Sequence, residues 1–257
     1  MNEEKKTSRK PLVAATAGLL ATALAVGGTI AWLTASNTVT NTFTVGQITA
    51  PVDPDKPDPG LPDPGDEDTD GTDATLTGNI YELFEPDSKL ASGISVRKTP
   101  YIGIGADSED SYVFAYVDNK TLAAKDTAKS PYFTLNDGWA PVDGQADAYT
   151  GEGKVEGKTF VGGLFKWVGT GNDSATEAAV LEGGAEDVWT KAVFDDITVP
   201  DATAYDDFTT DGQPTIDVSC YLHAKTGDDV TAAVAQGEAV TWATTGNRAP
   251  STGGASA

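Results

Sequence analysis

The chain has 257 residues, with 39 acidic and 17 basic side chains, a formal net charge of −22, one histidine and one cysteine. That balance argues against a nucleic-acid partner, because a phosphate backbone is held by clustered Lys and Arg that release counterions. A lone cysteine rules out an internal disulfide, so the fold must be stabilised by burial.

Residues 1–10 are polar and basic, and residues 11–33 are a run of Ala, Leu, Val, Gly and Thr that would be about 34 Å long as a helix, enough to span a bilayer. Gly27, Gly28, Thr29 and Ala31 precede Trp32, which puts Thr29 and Ala31 where a signal peptidase needs little side-chain volume. Residues 1–31 are therefore expected to be a signal peptide, with Trp32 as the new N-terminus. An uncleaved signal anchor is the alternative, and this segment is the only membrane contact expected. Either way the domain ends up outside the cell. Cleavage leaves 226 residues, ample for one core, with 13 basic and 37 acidic side chains and a net charge of −24. Such acidity favours solubility and weak cation binding.

Beyond the cleavage point, Val39, Asn41, Phe43 and Val45 alternate with Thr38, Thr40, Thr42 and Thr44, the two-residue period of a strand. One face is mostly apolar and the other all threonine. Residues 32–49, ending at Ile48 and Thr49, read as a lone N-terminal strand. Residues 50–73 are rich in Pro and Asp and read as a semi-rigid linker, able at about 3.1 Å per residue to hold that strand up to roughly 70 Å away. Within it Asp66, Asp68, Asp70 and Gly71 match the start of a calcium loop, but its twelfth position is Thr77 rather than a bidentate Glu. A solvated acidic linker is the plainer reading of the same residues.

Residues 74–245 read as an all-β domain. Apolar-alternating runs bounded by Gly, Asp, Asn and Pro predict strands at 75–83, 94–104, 112–118, 132–135, 159–168, 189–199, 215–223 and 238–244. About eight strands fit a double-sheet sandwich. In 112–118, Val113, Ala115 and Val117 point one way while Tyr112, Phe114 and Tyr116 point the other, so both faces need cover and the strand is central. Short accessory helices are expected around 177–181 and 229–235, the latter capped by Asp228 or Asp229 and stopped by Gly237. Residues 246–257 are expected to be a disordered tail.

Signals for catalysis are absent from the sequence. There is no His-Glu-x-x-His, no Gly-x-Ser-x-Gly and no phosphate-binding Gly-Lys-Ser/Thr loop. Cys220 shares a strand face with Ile216, Val218 and Leu222, as a buried small hydrophobe would. His223, an odd number of residues away, falls on the opposite face, which excludes a Cys–His dyad and makes it a surface or strand-end residue. The acidic pairs Asp195–Asp196, Asp206–Asp207 and Asp228–Asp229 read as solvated turns rather than a glycosidase pair set across a cleft.

Gly28, Thr29, Ala31, Leu33 and Thr34, followed by Asn41, Phe43, Gly46 and Ile48, resemble the signal-peptide-plus-first-strand signature of the TasA and camelysin family of Gram-positive bacteria. Lys98, Pro100 and Ile102, followed by Tyr112 and Val113, resemble its Lys-x-Pro hairpin. The resemblance implies processing by a dedicated signal peptidase, a jelly-roll β-sandwich, and export to the biofilm matrix or cell surface. It also implies fibres in which each subunit lends its N-terminal strand to the next. Val39, Asn41, Phe43, Val45 and Ile48 would then be the donor residues, and self-association the main partnership. The long linker departs from the family pattern. Camelysin has been classed as a metallopeptidase, but this chain offers no zinc ligand set, so neither enzymatic activity nor a cofactor is expected. The rival expectation is a monomeric surface or secreted binding module whose N-terminal strand folds back on its own domain.

Overall fold

The structure is a computed structural model that describes residues 31–32, 41–43, 47–52, 56–58, 60–65, 73–85, 89–90, 92–118, 126–172, 175–201 and 216–245. In chain order its strands are β1 (Ala31–Trp32), β2 (Asn41–Phe43), β3 (Asp73–Thr77), β4 (Ile80–Phe84), β5 (Lys89–Leu90), β6 (Ser95–Ile104) and β7 (Ser111–Asp118). There follow β8 (Phe133–Thr134), β9 (Trp139–Ala148), β10 (Thr159–Trp167), β11 (Val180–Leu181), β12 (Val188–Trp189), β13 (Asp196–Thr198), β14 (Asp217–Ala224) and the helix α1 (Ala232–Thr245).

These strands form two main sheets, antiparallel but for β2, as expected of an all-β sandwich. The first runs β2-β14-β7-β10-β8, with β9 also on β10 and β11 also on β7. The second runs β12-β6-β4-β3, with β13 also on β6. Both contribute to the main core: Val113, Ala115 and Val117 of β7 and Phe165 of β10 join Ile80, Ile102 and Ile104 of the second sheet.

β7 is central, as its alternation predicts. It lies antiparallel between β14 and β10. Its outer face, with Tyr112 and Phe114, is buried in a second cluster made largely by Ala235, Ala239, Trp242 and Ala243 of α1. The expected strand at 238–244 is therefore wrong. Ala235, Ala239, Trp242 and Ala243 recur at helical spacing, and the aromatic face of β7 and β14 selects that period over the two-residue one. Gly237 lies inside the helix rather than ending it. Thr231, not Asp228 or Asp229, caps the helix, its Oγ1 accepting from the Val234 amide at 3.3 Å. Likewise no helix forms at 177–181, where Val180 and Leu181 extend the sheet beside Tyr112 and Ser111.

The predicted strand 75–83 is a hairpin. Gly78 and Asn79 form a two-residue turn between β3 and β4, and Gly78 at φ +58° supplies the positive φ that so tight a turn requires. The predicted strand 189–199 divides into β12 and β13, which pair separately with β6. β9 is an edge strand that the sequence reading missed. Register shifts against β10 flank Gly163, whose φ is +118° and where a Cβ would meet the Gln145 carbonyl oxygen at 2.4 Å. Among the described residues no helix is long and apolar enough to cross a membrane.

Candidate functional site

The predicted donor strand is paired within its own chain. β2 runs parallel to β14, with Asn41 opposite Cys220, Thr42 opposite Tyr221 and Phe43 opposite Leu222. β14 has β7 on its other side, so β2 covers the Cys220–Leu222 part of an edge that would otherwise present a row of backbone donors and acceptors. Ile48 then packs partly buried against the main core.

Residues 47–52 form a strap fastened to the turn after β6. The Glu109 amide donates to the Gln47 carbonyl at 2.9 Å and the Gly105 amide to the Thr49 carbonyl at 2.8 Å. The Thr49 amide donates to Ser108 Oγ at 3.0 Å, and Thr49 Oγ1 donates to the Ala106 carbonyl at 3.0 Å. Asn79 Nδ2, fully buried, donates to both the Gly103 carbonyl at 2.7 Å and the Thr49 carbonyl at 3.2 Å. Asp187 spans the end of the strap: its carboxylate accepts from the Val52 amide at 2.9 Å and the Ala106 amide at 2.7 Å. Gly105 is required by close approach, since a Cβ there would sit 2.4 Å from the Ala50 carbonyl oxygen.

The described parts of the 50–73 segment also lie against the domain rather than standing off from it. Leu61, like Tyr101 and Trp189, packs against the cluster of Ala74, Tyr81 and Leu83, and the Tyr81 phenol donates to the Pro62 carbonyl at 2.7 Å. Aromatic and aliphatic cover for the outer face of β4 and β6 offsets the entropy of ordering a Pro-rich segment.

Of the other sequence-predicted residues, Ala31 and Trp32 form β1, which pairs with Leu90 and Lys89 of β5. Thr29, Val39, Val45, Asp66, Asp68 and Asp70 lie outside the described residues. Among the described residues no group of three or more His, Cys, Asp or Glu is placed to hold a metal ion. The strap's anchors, Gly105, Ser108 and Asp187, escaped the sequence reading, because nothing in a single sequence links positions so far apart in the chain.

Cys220 and His223 lie on opposite faces of β14, as expected. Cys220 is fully buried in the main core and its thiol is pushed up to about 12 by that burial. His223 lies at the end of its strand, one of the two expected placements, but it is buried rather than at the surface. Its Nδ1 lies 3.4 Å from the Glu238 carboxylate, which also accepts from the Tyr221 phenol at 3.0 Å. The group joins β14 to α1. Burial, and then its bond to Glu238, raise the Tyr221 phenol above its ordinary value.

No protein-family model matches the chain, and no match is found among curated proteins or solved structures.

Proposed function

We propose that the protein is an exported structural protein of the extracellular matrix or cell surface, with jelly-roll connectivity, that assembles by exchanging its N-terminal strand between copies. The observation that carries this reading is the parallel pairing of β2 with the outer edge of β14. An edge strand is read through its backbone, so the strand that closes β14 within one copy can close it in the next.

Residues 32–52 would exchange as a unit and keep every hydrogen bond of the strap. The crossing would use residues 53–59, whose three prolines favour an extended path and whose reach is up to roughly 23 Å. Each copy gives and receives, and such a head-to-tail contact does not close on itself, so it builds a filament. Removal of residues 1–31 would set the timing, because a donor tethered in a membrane cannot reach outward.

The second reading is a monomeric binding module, with β2 and the strap kept within one chain. The bonds from residues 47–52 to the chain's own 105–109 turn favour it. Chains 32–257 and 50–257, compared by negative-stain microscopy and light scattering, separate the two. Filaments from the longer chain alone support exchange. Monodisperse particles from both support the module. Phe43→Asp in chain 32–257 should abolish filaments and leave a soluble domain under the exchange reading.

A further inference from the structure

A cleft of about 350 Å³ opens where the 149–153 and 198–201 segments meet Tyr132 and Gly93. Two of its lining residues are tyrosines, of which Tyr132 is the more exposed. The Tyr132 and Tyr149 rings stack with centroids 4.1 Å apart and planes 21° from parallel. Tyr149 is 3% exposed, and its phenol donates to the Glu152 carbonyl at 3.2 Å. Tyr132 is half-buried, and its backbone is held by reciprocal bonds of 2.9 and 2.8 Å to Thr198. The platform is thus fixed before any ligand arrives.

The rim is acidic. Glu152 and Asp201, both exposed, line this cleft. A second cavity of about 270 Å³, lined by Thr134, Asn136, Asp195, Asp196 and Thr198, shares Thr198 with the first. Asn136 Nδ2 donates to Asp195 Oδ1 at 2.9 Å, which orients that carboxylate. Among the described residues neither cavity has a Lys or Arg in its lining. Arg97 is the cation acting on Asp196, from the facing position of β6.

We propose that the two cavities form one glycan-binding groove that selects oligosaccharides carrying free amino groups. A fixed aromatic face accepts the C–H face of a pyranose ring, and the flanking carboxylates and amide take up hydroxyls. An anionic sugar would meet the exposed carboxylates of Glu152, Asp195 and Asp201 in a chain of net charge −22, whereas an ammonium would be drawn in by them. The raised carboxyl of Asp196, caused by burial and then by Asp195, marks a place where an added cation relieves repulsion. Two cavities meeting at one residue suit a polymer better than a single sugar. The groove is made without β2 or the strap, so it stands apart from strand exchange.

The test is calorimetric titration of chain 32–257 with a β-1,4-linked glucosamine tetrasaccharide, its fully N-acetylated counterpart, and tetralysine. The glucosamine tetramer should bind, with affinity falling as salt rises. Tyr132→Ala and the double substitution Glu152→Gln/Asp201→Asn should each weaken it by about tenfold or more, a loss of about 1.4 kcal/mol. The circular dichroism of the double variant should stay unchanged, since Glu152 and Asp201 are exposed. Equal binding of the acetylated sugar, equal binding of tetralysine, or no binding of the glucosamine tetramer would each overturn the proposal.

Discussion

Lys98 Nζ lies 2.7 Å from Glu82 Oε1, with the two side chains only 2% and 7% exposed. Antiparallel pairing brings them together, Glu82 opposite Pro100 and Lys98 opposite Phe84. Removing one partner strands the other charge away from water, whereas removing both does not. Lys98→Met should therefore cost about 3–5 kcal/mol. The double variant Lys98→Met/Glu82→Leu should return to the parent's stability or exceed it. Urea unfolding midpoints read both, and a double variant as unstable as the single one would show that the pair is not the cause.

Gly105 is the position at which the strap can be loosened without touching the strand. Gly105→Ala would place a methyl group against the Ala50 carbonyl oxygen, 2.4 Å from the ideal Cβ position. The expected result is faster hydrogen exchange at the Gly105 and Glu109 amides, which donate to Thr49 and Gln47, with the centre of β7 still protected. Unchanged exchange at those amides would mean that the close approach is absorbed elsewhere.

Burial makes Cys220 a reporter of core opening. With its thiol pushed up to about 12, almost none is thiolate at pH 8, and the side chain is fully buried in the folded state. A thiol reagent at pH 8 should label the native chain at least about a hundredfold more slowly than the urea-unfolded chain, following global opening. Labelling of the native chain at the rate of a free thiol would contradict the placement of β14.

Asp196 provides a pH test. Burial, and then Asp195, raise its carboxyl in the folded state despite the opposing effect of Arg97. The folded state therefore binds this proton more tightly than the unfolded one, and the ionised carboxylate weighs against folding at neutral pH. That penalty is full above the folded value and disappears as the pH falls below the unfolded value of about 3.9. Asp196→Asn should raise the unfolding temperature slightly at pH 7, with the gain gone at pH 3.5 or so. A gain that persists unchanged at low pH would point to packing instead.

Local patterns were legible where one strand face decided the outcome. β7 could be read because Val113, Ala115 and Val117 alternate with Tyr112, Phe114 and Tyr116, and both sets found cover. α1 was misread because Val240, Thr241 and Trp242 favour strands locally, while Ala235, Ala239 and Trp242 answer to a partner face that only the folded sheet supplies. β9 was missed because Pro141 and Gly144 interrupt it, which an edge strand tolerates. At the candidate site, the strand character of residues 41–43 was legible, but its partner was not. Opposition of Asn41 and Cys220 depends on long-range pairing, as does the seat that Thr49 finds between Ser108 and Ala106.

Strand exchange is tested most directly by asking whose β14 the N-terminal strand occupies in assembled material. Chain 32–257 carrying a photo-crosslinking residue at position 42 would be assembled from an equal mixture of nitrogen-14 and nitrogen-15 protein. Crosslinked peptides joining position 42 to residues 217–224 would then be read by mass spectrometry. Exchange predicts mixed-isotope pairs in about half of these crosslinks, as random neighbours require. Filaments whose crosslinks join only peptides of one isotope would show that the strand stays on its own domain, and would contradict assembly by exchange.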